Sequence, residues 1–142
     1  MKVIVLKGKP DTGKSTILRL VAKMIMDKYG KPVYCNSRFY SNINKNIGDV
    51  QAVFIINGKV VAITSHGDYP KLLRDDLKEL KNNSSGEIDL FICASHDTPM
   101  FKRFMEVISE NNYEVISKNA SENREDSKCA NKIFEKVQEF VK

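Results

Sequence analysis

The sequence lacks both a long apolar run and paired cysteines. A membrane-spanning helix needs about 18 or more consecutive apolar residues, and no stretch of this chain approaches that length. The three cysteines, Cys35, Cys93 and Cys129, lie far apart and form no CxxC pair, which indicates neither a zinc ribbon nor a disulfide framework. The N-terminal apolar stretch is too short for a secretory signal and has no small-residue cleavage site. We therefore expect a cytoplasmic protein with reduced thiols and no membrane partner.

Internal repeats and low-complexity segments are also absent, so the 142 residues predict a single domain, residues 1–142. The chain contains 23 Lys and Arg against 18 Asp and Glu, a net charge of +5. Residues 1–48 hold ten of these cations and two acids, whereas residues 49–142 hold thirteen and sixteen. The first third is therefore +8 and the remainder −3, which predicts a polyanionic partner for the first third. A nucleic acid and a nucleoside triphosphate both meet that description.

Hydrophobic patterning predicts alternating strands and helices. Short apolar, β-branched runs predict buried strands, and apolar residues at helical spacing predict amphipathic helices. Asn57-Gly58 between two apolar runs predicts a hairpin, because both residues tolerate positive φ. The predicted strands cover residues 3–6, 33–35, 50–56, 59–64, 88–94 and 113–117. The predicted helices cover 14–29, 69–81, 99–111 and 127–141, and the longer loops cover 36–49 and 118–126. This order predicts an α/β fold with a mostly parallel sheet and one antiparallel hairpin strand.

The segment after the first predicted strand has the spacing of a phosphate-binding loop. Residues 8–15, Gly-Lys-Pro-Asp-Thr-Gly-Lys-Ser, fit G-x-x-x-x-G-K-[ST] without a mismatch, and a predicted helix follows. The two glycines allow backbone conformations that turn amides inward towards an anion. We expect a catalytic Lys14 beside the β- and γ-phosphates, and the Ser15 hydroxyl on a Mg²⁺ that bridges them. Asp11 is expected to point to solvent or to Lys9.

On this motif the chain resembles the P-loop (Walker A) NTPase superfamily. The resemblance implies a three-layer α/β domain that binds a nucleoside triphosphate with Mg²⁺. Thr16 extends the motif to the Gly-Lys-Ser-Thr form frequent among ATP users, which favours ATP over GTP. In size the chain is similar to small nucleotide and metabolite kinases, and in its hairpin to small GTPases. The expected nucleotide-binding residues are Gly8, Lys9, Asp11, Thr12, Gly13, Lys14, Ser15, Thr16 and Gly67.

The sequence lacks the acid that P-loop NTPases usually carry at the end of an apolar strand, where it holds Mg²⁺ through a water molecule. The candidate strands end at Asn57, Thr64 and Cys93-Ala94. Small GTPases carry D-x-x-G after a similar hairpin, and here Thr64 takes the place of that acid while Gly67 matches the glycine. We expect the next residue, Asp68, to hold the metal with Ser15 and to act in catalysis. Its position before a proline-containing helix start also suits a helix N-cap.

Further polar candidates lie at other predicted strand ends. Asp97 is a second candidate for the metal-holding acid, or the first residue of a turn before Thr98-Pro99. His66 and His96 each follow a serine at the carboxyl end of a strand, where ligands bind in open α/β sheets. If both strands flank the P-loop strand, both imidazoles lie near the phosphates. Otherwise they are ordinary loop histidines.

Cations outside the P-loop are candidates for charge stabilisation in phosphoryl transfer, which often needs an Arg or Lys on a mobile segment. Arg38, in the predicted loop 36–49, is the first candidate for this catalytic role, and Arg124 is the second. Arg19 and Arg74 lie on predicted helix faces, and we expect both to be solvated.

Three functions are compatible with these features. The first is an enzyme that binds Mg-ATP and hydrolyses it or transfers its γ-phosphate to a small acceptor. The second is a nucleotide-dependent switch or accessory protein with little turnover that presents a surface to a protein partner, and the missing acid favours it. The third, a nucleic-acid-associated NTPase, has only the basic first third in its favour. The guanine-reading N-K-x-D pattern follows no predicted strand, which disfavours a dedicated GTPase.

Overall fold

A computed structural model of the protein describes residues 1–8, 13–35, 48–65, 70–84, 86–96, 102–103, 105–106, 112–118 and 123–142. Within these ranges the chain forms six strands in one mixed sheet and three helices, which confirms the α/β class. The strands are β1 (Lys2–Gly8), β2 (Tyr34–Cys35), β3 (Gln51–Ile56), β4 (Lys59–Thr64), β5 (Leu90–His96) and β6 (Asn112–Lys118). The helices are α1 (Lys14–Tyr29), α2 (Pro70–Asn82) and α3 (Asn123–Val141).

The strands lie in the order β2-β3-β4-β5-β1-β6. β1 pairs in parallel with β5 and β6, and β4 pairs in parallel with β5. β3 pairs antiparallel with both β2 and β4, so among the six described strands it is the reversed one, as the hairpin predicted. At the end of β1, Gly8 stands opposite His96 of β5 and Lys118 of β6. The carboxyl ends of these three strands therefore form one edge, beside the P-loop motif.

The hairpin between β3 and β4 brings the start of β3 to this same edge. Asn57 (φ 52°) and Gly58 (φ 78°) form its turn at the opposite edge, in the positive-φ conformations that Asn-Gly turns favour. Gln51, the first residue of β3, pairs with Thr64, the last residue of β4. β3 runs opposite to the parallel strands. The residues just before β3 therefore lie at the same edge of the sheet as the residues that follow the parallel strands.

Helices cover both faces of the sheet. The apolar stripes of α1 and α3 pack with one face of the sheet in the larger core cluster. Leu80 of α2, with partly buried Leu77, packs on the opposite face against β1, β3, β4 and β5. The core is thus divided by the sheet, as an α/β layer arrangement requires. No helix within the described part of the chain is long and apolar enough to cross a membrane.

Some predicted boundaries were wrong. The prediction of a loop over 118–126 fails at both ends, because β6 includes Lys118 and α3 begins at Asn123. The first turns of α3 are polar and carry no apolar periodicity, so the pattern could not indicate them. Of the predicted helix 99–111, only 102–103 and 105–106 are described, and they are helical. Residues 36–47 of the predicted loop 36–49 lie outside the described residues.

Candidate functional site

The two ends of the P-loop motif come together at the carboxyl end of β1. Gly13 caps α1 in the left-handed conformation (φ 88°, ψ 22°), which glycine adopts without steric cost. Its carbonyl accepts the first helical hydrogen bond, from the amide of Ile17, at 3.0 Å. Lys14 is only 7% exposed, and its Nζ donates to the carbonyl oxygen of Gly8 at 3.1 Å. The ammonium is therefore held beside the last residue of β1, at the N-terminus of α1.

Ser15 connects this helix start to an acid that the sequence prediction missed. Its Oγ donates to Oδ1 of Asp49 at 3.1 Å. The same carboxylate oxygen accepts a second hydrogen bond, at 2.9 Å, from the Oγ of Ser65, the residue after β4. Ser65 Oγ in turn accepts from the amide of Val50 at 2.8 Å. A half-buried carboxylate thus stands beside the serine of the motif, fixed by hydroxyls from two different elements.

Asp49 was missed because the acid of P-loop NTPases is expected after a strand. Asp49 precedes β3, and only the reversal of that strand brings it to the P-loop edge. The signal that could have found it was available, because the Asn-Gly hairpin predicts the reversal. An acid one or two residues before the first hairpin strand is therefore as good a candidate as one after the second.

The segment containing Asp49 is attached to α1 by Arg19. The guanidinium donates to the carbonyl of Gly48 and, at 2.9 Å, to Oγ1 of Thr16. Arg19 is 7% exposed, so the prediction that it is solvated was wrong, whereas Arg74 on α2 is exposed as expected. Burial lowers the pKa of the Arg19 guanidinium, and the nearby charge of Asp49 opposes that shift.

A buried ion pair stands on the other side of the helix start. Lys118 at the end of β6 pairs directly with Asp126 of α3, and the lysine side chain is fully buried. A methyl group placed on Gly13 would lie 3.1 Å from Lys118 Nζ and equally close to an oxygen of Asp126. Any side chain at position 13 would therefore crowd the pair, in addition to the strain of its positive φ.

The end of β4 is not adjacent to the end of β1. β5 lies between β4 and β1, which separates the two strands by about 10 Å, two strand spacings. Thr64 is fully buried, and its Oγ1 donates to Oδ2 of the buried Asp76 on α2 at 3.4 Å. Of the two strands that precede the histidines, only β5, the strand of His96, lies next to β1, so the condition for both imidazoles to lie near the phosphates is not met. The carboxyl end of β4 is connected to the start of α1 by the hydrogen bonds that Ser65 and Ser15 donate to Asp49.

The structure brings together five of the predicted nucleotide-binding residues: Gly8, Gly13, Lys14, Ser15 and Thr16. The others lie outside the described residues, as do further site predictions: Lys9, Asp11, Thr12, Arg38, His66, Gly67, Asp68 and Asp97. For His96 and Arg124 the structure describes only the backbone, at the end of β5 and in the first turn of α3. The predicted roles of these residues in metal binding and catalysis thus stay predictions.

No group of three or more His, Cys, Asp or Glu side chains in the described ranges is arranged to hold a metal ion. Mg²⁺ does not need such a group, because it is usually bound by one or two protein oxygens with phosphates and waters completing its shell. The Ser15 hydroxyl and the Asp49 carboxylate are hard oxygen donors in direct contact. They fit Mg²⁺ in chemistry and in number.

A scan of the chain against known protein families finds no match, and searches of curated proteins and of solved structures find none either. The functional argument is therefore made from the residues around the N-terminus of α1.

Proposed function

We propose that this protein binds a nucleoside triphosphate, with ATP favoured, and Mg²⁺ at the junction of β1 and α1, and hydrolyses it or transfers its γ-phosphate to a small acceptor. The observation that carries the proposal is the placement of Lys14. Directly after a left-handed glycine, its ammonium is buried and donates to Gly8 at 3.1 Å, beside a serine that contacts a carboxylate. A cytoplasmic location, where thiols such as Cys35 stay reduced, belongs to the same proposal.

The first support is electrostatic. A helix N-terminus carries orphan amides and about half a positive charge, and α1 begins at Lys14 with no acid in its first turn. Phosphate groups are the anions that such a terminus binds most readily. The Lys14 ammonium, which donates to the Gly8 carbonyl, adds a full charge at the same place. Both features stabilise the negative charge of a phosphate chain.

The second support is the oxygen pair beside the helix start. Ser15 would ligate Mg²⁺ directly and Asp49 would hold it through water. When bound, the ion neutralises charge on the β- and γ-phosphates and so favours attack on the γ-phosphorus. Ser65 keeps the Asp49 carboxylate oriented towards Ser15, because both hydroxyls donate to the same oxygen. Asp68, which follows Ser65 by three residues, remains a second candidate for the same role.

The test is direct measurement of ATP affinity by titration calorimetry, with Mg²⁺ and with EDTA. Lys14→Ala removes a charged hydrogen-bond donor to phosphate, which is worth roughly 1.5–3 kcal/mol, so ATP affinity should fall about 10- to 150-fold. Lys23→Ala, on the exposed face of the same helix, is the matched control and should bind as the wild type does. An unchanged affinity in Lys14→Ala would contradict the proposal.

A nucleotide-dependent switch with little turnover is the second candidate function. It is favoured by the Ser15–Asp49–Ser65 hydrogen bonds, which connect the start of α1 to the residue that follows β4. A ligand that gives the Ser15 hydroxyl a new partner would break its hydrogen bond to Asp49. The hydrogen bond between Asp49 and Ser65 would then change as well. Single-turnover release of phosphate separates the two functions: tight ATP binding with no release supports the switch and contradicts the enzyme.

A further inference from the structure

The Lys118–Asp126 pair is placed against the backbone of the P-loop motif. The lysine side chain is 0% exposed and the aspartate side chain 11%. A Cβ on Gly13 would lie 3.1 Å and 3.2 Å from the two carboxylate oxygens of Asp126. An acidic side chain therefore stands beside the residue that precedes the phosphate-binding N-terminus of α1.

The position of this acid follows from the fold. Gly8 and Lys118 are register partners at the ends of β1 and β6, so the lysine lies level with the start of the motif. α3 begins at the same edge as α1 and ends at the opposite one, where the side chain of Asn57 in the hairpin turn donates to the carbonyl of Val141 at 2.7 Å. Two helix N-termini consequently meet at this edge, and Asp126 lies in the first turns of α3. An acid there is favourable for the α3 dipole.

The same acid would oppose a phosphate ligand if it stood alone. Charges of like sign a few ångströms apart in a partly buried site repel strongly, because little water separates them. Lys118 neutralises the charge of Asp126, because its ammonium contacts the Asp126 carboxylate directly and both groups are shielded from solvent. The pair as a whole is neutral, so it contributes no net repulsion to an incoming triphosphate.

We propose that Lys118 is a positioning residue that holds and neutralises Asp126. The Asp126 carboxylate beside Gly13 then does not repel a bound triphosphate. This inference rests on the proposed function. Lys118 acts through Asp126, so its effect on binding depends on the presence of that carboxylate. It also depends on the charge of the ligand, which a purely structural role would not.

The experiment is a double-mutant cycle in the full chain with Mg-ATP, ADP and AMP as probes. Lys118→Met exposes the phosphates to an uncompensated carboxylate, and ATP affinity should fall about 10- to 100-fold. The loss should decrease from ATP to ADP to AMP with the charge of the ligand. In Lys118→Met/Asp126→Asn the acid is also gone, and ATP affinity should return to within about threefold of the wild type. Thermal unfolding verifies that each variant is folded.

Asp126→Asn keeps the test decisive if a buried unpaired carboxylate prevents Lys118→Met from folding. This variant removes the negative charge and keeps the ammonium, so it should bind ATP at least as tightly as the wild type. The inference is overturned by weaker ATP binding in Asp126→Asn, by equal losses for ATP and AMP in Lys118→Met, or by a double variant as weak as Lys118→Met. Wild-type protein that binds no nucleotide would instead overturn the proposed function itself.

Discussion

Asp49 is the residue at which the proposed Mg²⁺ binding can be tested with a single substitution. Its Oδ1 accepts hydrogen bonds from Ser15 at 3.1 Å and Ser65 at 2.9 Å. Asparagine at this position keeps the shape and an acceptor oxygen but loses the charge. Both hydroxyl contacts can therefore persist while the attraction for a divalent cation is removed, which makes the substitution informative about charge alone.

Mg²⁺ should raise the affinity for ATP, and we expect Asp49→Asn to reduce that increase about tenfold or more. The reason is that a charge-assisted ligand is replaced by a neutral one. Affinity measured in EDTA should not fall. Titration calorimetry with and without Mg²⁺ gives both values. Asp27→Asn, at an exposed position on α1, is the control. An unchanged Mg²⁺ gain in Asp49→Asn would exclude Asp49, and Asp68→Asn would then be the variant to measure.

At the scale of elements, the segment that carries Asp49 is attached to α1 by a buried arginine. Arg19 donates to the carbonyl of Gly48, at the end of the predicted loop, and to Thr16 on its own helix. A buried guanidinium presents several fixed donors, so one side chain can join two elements where a lysine would satisfy fewer groups. The start of β3 is thus fixed to the helix that begins at the P-loop.

Arg19→Met keeps most of the apolar stem but leaves the Gly48 carbonyl without this donor. We expect a loss of about 1–3 kcal/mol in the free energy of unfolding, the usual cost of removing one partner of a buried hydrogen bond. Arg74→Met, at an exposed position on α2, should change stability by less than about 0.5 kcal/mol. Urea unfolding followed by circular dichroism measures both. Equal effects in the two variants would show that the Arg19 contacts are not stabilising.

Sequence patterning was sufficient for the elements that carry a strong local signal. The Asn57-Gly58 turn, the reversed strand and the bounds of α1 all follow from local chemistry, and the structure confirms them. Strand order does not follow from local pattern, so the sequence left open which strands flank β1. The placement of β5 between β4 and β1 is fixed by which apolar faces pack together, a non-local property.

The site was predicted in the same uneven way. The motif indicated the positions of Gly13 and Lys14 at the start of α1, because a glycine before a helix and a lysine after it are local features, while their role in binding stays a prediction. The contacts of Asp49 with Ser15, of Arg19 with Gly48 and of Lys118 with Asp126 were missed, because each joins segments that are distant in the sequence. No spacing in the sequence indicates that these residues come into contact.

At the scale of the whole molecule, the basic first third does not form one exposed patch where it is described. Lys14 donates inward to Gly8 and Arg19 is buried. The Nζ of Lys2 lies 3.9 Å from Oε1 of Glu114 on β6. The exposed cations Lys23 and Lys28 lie in the second half of α1, away from its N-terminus, and Lys28 in the last turn favours the helix dipole. The charge of this third is thus divided between the candidate phosphate site and scattered surface positions.

This division predicts weak, salt-sensitive binding to nucleic acid. Non-specific binding to nucleic acid has a dissociation constant of roughly 10⁻⁴ to 10⁻⁶ M at physiological salt, and its affinity falls as salt rises, in proportion to the number of phosphates contacted. We expect fluorescence anisotropy with a labelled single-stranded oligonucleotide to show any binding at 50 mM salt lost by 200 mM. Saturating Mg-ATP should displace whatever remains, because the proposed function assigns Lys14 of this basic third to a nucleotide. Submicromolar binding at physiological salt that survives saturating ATP would show a separate nucleic-acid surface and contradict this assignment of the charge.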